Sequence, residues 1–208
     1  MKIERFIKKE IPFIPMREDL FNFTNETSLV RVKARAEGLV KLIDFPEVPT
    51  FIIPDTYHIK EYNFPFENYG TSIRSATEKV SRIVEKKGCS SNFFSALYEA
   101  ILNAHQHGNK LDPNKSVTLA YEIKPNKIRA AVVDQGGVFE PDFMPFLINL
   151  RSKGDFKSKF QNYYDFSNTS KPTINNGTGT AFMHAYVDDV AYLKSSQGGL
   201  IVHLTKTF

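Results

Sequence analysis

The sequence predicts an α+β fold in which amphipathic helices lie on a sheet built largely from hairpins. Three observations carry that expectation. Phe94, Leu97, Ile101 and Ala104 recur at helical spacing and form one apolar stripe. Val117 to Ile123 and Ile128 to Val133 are strand-like runs joined across Lys124-Pro125-Asn126-Lys127, the pattern of a β-hairpin. Val190 to Lys194 and Leu200 to Thr205 form a second strand pair around Ser195-Ser196-Gln197-Gly198-Gly199.

At 208 residues the chain makes one domain with an appendage, or two small ones. A hydrophobic share of 41%, with eighteen phenylalanines, suffices for a sizeable core. Cys89 is the single cysteine, which excludes an internal disulfide and a cysteine metal cluster; a small buried or half-buried thiol just before a helix is expected. No run of about 18 apolar residues and no signal-peptide pattern is present, so a soluble, cytoplasmic protein without membrane contact is expected. The net charge of +4 is mild and suits a nucleotide or acidic partner as well as nucleic acid. With no nucleic-acid-reading motif, direct nucleic-acid contact is not expected.

Residues 1–55 differ from the rest, with prolines at 12, 15, 46, 49 and 54. Val30, Val32, Ala34 and Ala36 alternate with Arg31, Lys33 and Arg35, which reads as a strand with a basic face. Leu29, Val32, Ala36, Leu39, Val40 and Ile43 also fit a helical stripe, so a strand followed by a helix, broken near Gly38, is the reading taken. This segment carries no nameable chemistry; a packing or partner-binding extension is its expected role, with plain structural padding as the alternative.

From Tyr57 the signals sharpen. Tyr57 to Phe64 alternates like a strand. Ile73, Ala76, Val80, Ile83 and Val84 mark an amphipathic helix, with Lys86 and Lys87 at its end and Gly88 as its stop. Ser90 or Ser91 is placed to cap the next helix, which runs to Gly108. Residues 139–176 are long, basic and irregular, with a short helix near Pro145 to Leu150, and read as a lid or binding loop. A last helix is expected over Ala181 to Val187.

The chemistry-bearing residues cluster in three segments. Glu99, Asn103 and His107 follow one another by single helical turns, away from the apolar stripe. A carboxamide oxygen there can ligate a hard cation and a carboxylate can accept a proton; a solvated polar face is the plain alternative. Asp134-Gln135-Gly136-Gly137-Val138-Phe139 follows a strand directly, so its carboxylate could receive an exocyclic amine while the glycines let the backbone pass close to a ring; alone it also reads as a turn. Gly177-Thr178-Gly179-Thr180 opens a helix and leaves amides facing any anion at that terminus. The histidines form no metal site: His105 and His107 point to nearly opposite sides of a helix, and His184 and His203 lack neighbouring ligand types. All five are expected to be solvated or satisfied.

In this order, the three segments resemble the asparagine box and two glycine boxes of the ATP-binding fold shared by DNA gyrase, Hsp90, histidine kinases and MutL. Within it the chain is most similar to the anti-sigma-factor serine kinase branch, on His107 after the asparagine box, on Val187-Asp188-Asp189-Val190, and on the closing strand from Gly199 to Lys206. The resemblance covers roughly Tyr57 to Phe208. It implies a two-layer α/β sandwich, with a mixed, mostly antiparallel sheet covered by helices on one face. Residues 56–208 would be the ATP-binding domain, with a lid at about 140–176 and residues 1–55 as an N-terminal extension.

The resemblance further implies roles. Glu99 would be the general base toward an attacking serine hydroxyl, Asn103 the magnesium ligand, and Asp134 the reader of the adenine amine. Gly136 would let the backbone approach the base, while Gly177, Thr178, Gly179 and Thr180 would cradle the phosphates. His107 and Val138 belong to the same nucleotide site. ATP and Mg2+ are the expected cofactors, and a sigma factor and an anti-anti-sigma protein of the STAS type the expected partners, with homodimerisation left open. The chain departs from the pattern at Val138, where the first glycine box has glycine, in its longer lid, and in the extension. A nucleotide-gated binding module without phosphotransfer is the rival. The catalytic half of a sensor histidine kinase is disfavoured, because His58 sits in a strand-like stretch and not on a dimerising helix.

Overall fold

The computed structural model describes residues 50–136, 143, 146, 147, 150, 162–167, 170, 177–196 and 198–208. The chain divides into two units, Met1–Pro49 with Phe139–Thr178, and Thr50–Val138 with Gly179–Phe208. The strand and helix expected within residues 29–43 lie outside the described residues, as does most of the lid.

The second unit is a six-stranded sheet with helices packed on it. Its strands are β1 (Thr50–Phe51), β2 (His58–Tyr62), β3 (Val117–Lys124), β4 (Lys127–Val133), β5 (Asp189–Ser195) and β6 (Leu200–Thr207), in the order β1-β5-β6-β4-β3-β2. Only the β1–β5 pair is parallel, so the sheet is mixed and mostly antiparallel, as expected. Both expected hairpins form. Ile123 pairs with Ile128 across the first turn, and Lys194 pairs with Leu200 across the second.

Helix α1 (Tyr69–Glu85) buries Ile73, Ala76, Thr77, Val80, Ser81 and Val84. Ile83, expected in this stripe, is 43% exposed. Thr77 and Ser81 share the inward face instead; the Thr77 hydroxyl is accommodated by donating to the Ile73 carbonyl at 2.8 Å. Gly88 ends the helix with φ +96°, and the Cys89 N–H reaches back to the Val84 carbonyl at 3.0 Å, a Schellman closure. Cys89 is buried, and burial pushes its thiol pKa up.

Helix α2 (Asn92–Asn103) packs between α1 and α4 (Gly179–Tyr186) and rests on β4 and β6. Its buried face is Phe93, Ala96, Leu97, Ala100 and Ile101, continued by Ala104. The expected stripe therefore needs a correction at its first member. Phe93 enters the core, while Phe94 stays half-exposed, stacked on Tyr98 and covered by the Arg74 guanidinium 5.5 Å from its ring centre. Of the two serines expected to cap this helix, Ser90 does so, its hydroxyl accepting from the Asn92 N–H at 3.3 Å, while Ser91 has helical φ and ψ and makes no capping bond. The helix α4 starts two residues earlier than the expected Ala181.

In the other unit, Phe143, Phe146, Leu147 and Leu150 are helical, in keeping with the short helix expected there. A second helix, α3 (Tyr163–Ser167), was not anticipated in a segment read as irregular. The Tyr163 and Phe166 rings pack on Phe146, at 5.4 and 5.6 Å between centroids, so aromatic contacts order a sequence whose polar residues suggested a loop.

Candidate functional site

Glu99 lies on α2, half-buried and opposite the core stripe, with Asn103 one turn further along as the last residue of the helix. Burial raises the Glu99 carboxyl pKa above the ordinary carboxylate range. The first residue of α4, Gly179, lies against this carboxylate: a Cβ added at 179 would fall on Glu99 Oε2. Two of the three segments singled out in the sequence therefore meet here, and a side chain at 179 would displace the Glu99 carboxylate from this position. Thr180 follows, buried, in the first turn of α4.

Beyond Asn103 the helix widens into a π turn, Ala104–Gly108, closed by the Asn109 N–H donating to the Ala104 carbonyl at 2.8 Å. Such turns are rare and recur at functional sites. His105 and His107 diverge as expected, the first fully buried and the second half-exposed. The reading of His105 as solvated or satisfied is overturned. Its ring is buried beside Phe64 and Tyr69, neither ring nitrogen has a hydrogen-bond partner among the described residues, and desolvation lowers its pKa. His184 and His203 are satisfied, by the hydroxyls of Tyr192 and Tyr57 at 3.2 Å each.

Asp134, 7% exposed, follows β4 and is held by backbone on several sides. Its Oδ1 accepts from the Gly136 N–H at 2.8 Å and from the Leu200 N–H at 3.2 Å, while its own N–H donates to the Leu200 carbonyl at 3.0 Å. The Gly136 contact is an Asx turn, so the plain turn reading of this segment is realised together with the pinned carboxylate. Three glycines admit it. A Cβ at Gly108 would strike the Asp134 side chain, one at Gly136 would strike the Gly108 carbonyl, and Gly199, at φ +87°, passes over the Asp134 carbonyl. The role of Gly199 and the strut residue Asn109 escaped the sequence reading; a glycine pair in a hairpin and an Asn after Gly108 were the available signals.

Gly177 belongs to the other unit. Its φ is +69°, its carbonyl accepts from the Tyr163 N–H at 2.8 Å, and a Cβ there would run into Asn162 and Tyr164. Thr178 is half-exposed beside it in sequence. Val138 lies outside the described residues.

Among the described residues no group of three or more His, Cys, Asp or Glu side chains is placed to hold a metal ion. Magnesium carried by a polyphosphate takes one or two protein oxygens and fills its octahedron with phosphate and water. The half-exposed Asn103 amide can supply such an oxygen. No helix among the described residues is long and apolar enough to cross a membrane.

The family model of the histidine kinase-like ATPase domain matches residues 67–206, which span α1 to β6 and all three segments above. No curated protein matches the chain.

Proposed function

The chain belongs to the histidine kinase-like ATPase family, and from that premise we propose that it is an ATP-dependent serine protein kinase acting as an anti-sigma factor. In this reading it binds a sigma factor and phosphorylates a STAS-type anti-anti-sigma partner on serine. The observation that carries the kinase assignment is the contact between the half-buried Glu99 carboxylate and Gly179 at the start of α4. A carboxylate that touches the helix opening meant for phosphate stands where an attacking hydroxyl would lose its proton.

The residues divide the work. Glu99 would accept the proton of the serine hydroxyl as the serine oxygen bonds to the γ-phosphorus and the bond from that phosphorus to the bridging oxygen breaks to release ADP; burial makes this carboxylate a stronger base than an exposed one. Asn103 would hold magnesium through its amide oxygen, and the ion would supply charge to offset the phosphates. Asp134 accepts from the adenine amine, held in place by Gly136 and Leu200. The amides of Gly179 and Thr180 would donate to phosphate oxygens. Positioning and electrostatics supply most of the rate in phosphoryl transfer.

The test is a pull-down of the full chain from native cytoplasm with and without Mg-ATP, followed by phosphoserine analysis. Expected are a sigma factor held in the nucleotide-bound state and a STAS-type protein released after phosphorylation on serine. Nucleotide-dependent capture without any phosphoserine would replace the kinase by a nucleotide-gated binding module.

A further inference from the structure

Asn109 sits just past the π turn, 0% exposed, and none of the nucleotide roles above uses it. Its Oδ1 accepts from the Gln135 N–H at 2.7 Å, and its Nδ2 donates to the Ser116 carbonyl at 2.9 Å. The Gln135 side chain closes the triangle, its Oε1 accepting from the Ser116 N–H at 3.1 Å. Three bonds thereby join the end of α2 to the residue before β3 and to the loop after β4.

The backbone beside Asn109 shows that this placement is enforced. Lys110 and Leu111 have φ of 58° and 60°, a region that non-glycine residues occupy only where their surroundings over-determine it. Gln135 lies between Asp134 and Gly136, which bond to each other through Asp134 Oδ1. Holding the Gln135 N–H therefore holds the middle of the Asx turn that aims the Asp134 carboxylate. Only a neutral carboxamide can do this here: a carboxylate would set one oxygen against the Ser116 carbonyl, and an apolar side chain would leave both backbone groups unmatched.

We propose that Asn109 is a positioning residue that sets the preference of the site for a 6-amino purine over a 6-oxo purine. The proposal rests on the reading of Asp134 as the contact to the adenine amine. Asn109 touches no ligand. It acts by keeping Asp134 in register with the helix that bears Glu99 and Asn103.

The experiment compares magnesium-dependent binding of ATP, inosine triphosphate and inorganic tripolyphosphate to the full chain, by calorimetry, in wild type, Asn109→Ala and Gln135→Ala. Asn109→Ala is expected to lose about tenfold in its preference for ATP over inosine triphosphate, the worth of a hydrogen bond, with tripolyphosphate affinity unchanged. Gln135→Ala removes only the bond to Ser116 from an exposed residue and is expected to show a smaller loss in the same direction. Should Asn109→Ala fail to fold, the Gln135→Ala ratio decides alone. Variants that keep the wild-type ratio, or weaken all three ligands together, overturn the proposal. A wild type that binds ATP and inosine triphosphate alike removes the base-reading role of Asp134, and this proposal with it.

Discussion

Gly108 and Gly136 meet backbone to backbone: a Cβ on Gly136 would fall on the Gly108 carbonyl oxygen, and one on Gly108 would fall on the Asp134 carboxylate. The end of the α2 extension and the loop after β4 thus approach as closely as two chains can. Gly136→Ala is expected to destabilise the fold by about 1–3 kcal/mol, the cost of overpacking where only backbone can yield. Gly70→Ala is the control. Gly70 is in the first turn of α1, and its Cβ would meet nothing nearer than the Tyr98 hydroxyl at 3.8 Å, so alanine there should stabilise by about 0.5 kcal/mol. Thermal or urea unfolding of the two variants checks the opposite signs.

His105→Phe should raise stability. The ring is fully buried between Phe64 and Tyr69 with both nitrogens unpaired, and each such group carries its desolvation cost without return. Replacing it by an apolar ring of similar shape is expected to stabilise by about 1–2 kcal/mol. Urea midpoints for wild type and variant at pH 7.5, where the histidine is neutral in both states, read this directly; a lower midpoint for the variant would mean that the nitrogens are served in solution.

Asp134→Asn should hurt nucleotide binding more than folding. The amide can keep its oxygen on the Gly136 and Leu200 N–H groups, but would turn a donor toward the adenine amine of the proposed site, which needs an acceptor. A mismatch of this kind costs about 1–3 kcal/mol in ADP affinity. Calorimetry with ADP checks it, and unchanged affinity would place the base elsewhere.

Glu99 gives the protein a pH signature. Burial raises its pKa in the folded state above the unfolded value, so the folded form binds the proton more readily. Its contribution to stability is therefore full below the unfolded pKa and is lost as pH rises through the folded one. Glu99→Gln should be more stable than wild type at neutral pH, and the gap should close below about pH 4, where glutamate is protonated in both states. Melting temperatures of both proteins from pH 3.5 to 8 test the sign. Phosphotransfer should fall on acidification at a higher pH than an ordinary carboxylate would give.

Much of this was readable in the chain because periodicity and turn chemistry agree. Gly88, the two hairpins and the strand after Val187 all fell where spacing placed them. What escaped was decided by tertiary contact. Phe93 and Phe94 are indistinguishable by hydrophobicity, and Arg74 and Tyr98 decide which ring can stay outside. Ser90 and Ser91 are equally good capping residues, and backbone angles leave the contact to Ser90. The π turn leaves no mark in composition, yet it sets where His105 is buried and where Asn109 can reach Gln135 and Ser116. The contact of Glu99 with Gly179 joins residues far apart in sequence, and their boxes could be recognised without showing that they touch.

The most direct test of the kinase reading separates binding from transfer at Glu99. Labelled γ-phosphate transfer to the serine of a purified cognate partner is measured for wild type and Glu99→Ala, with equilibrium Mg-ATP binding measured on the same preparations. A base that acts on the attacking hydroxyl contributes little to nucleotide affinity, so binding by Glu99→Ala should stay near wild type while transfer falls about 10²–10⁴-fold. Undiminished transfer by Glu99→Ala would contradict the role given to this carboxylate, and a wild type that binds ATP and partner but transfers nothing would contradict the kinase.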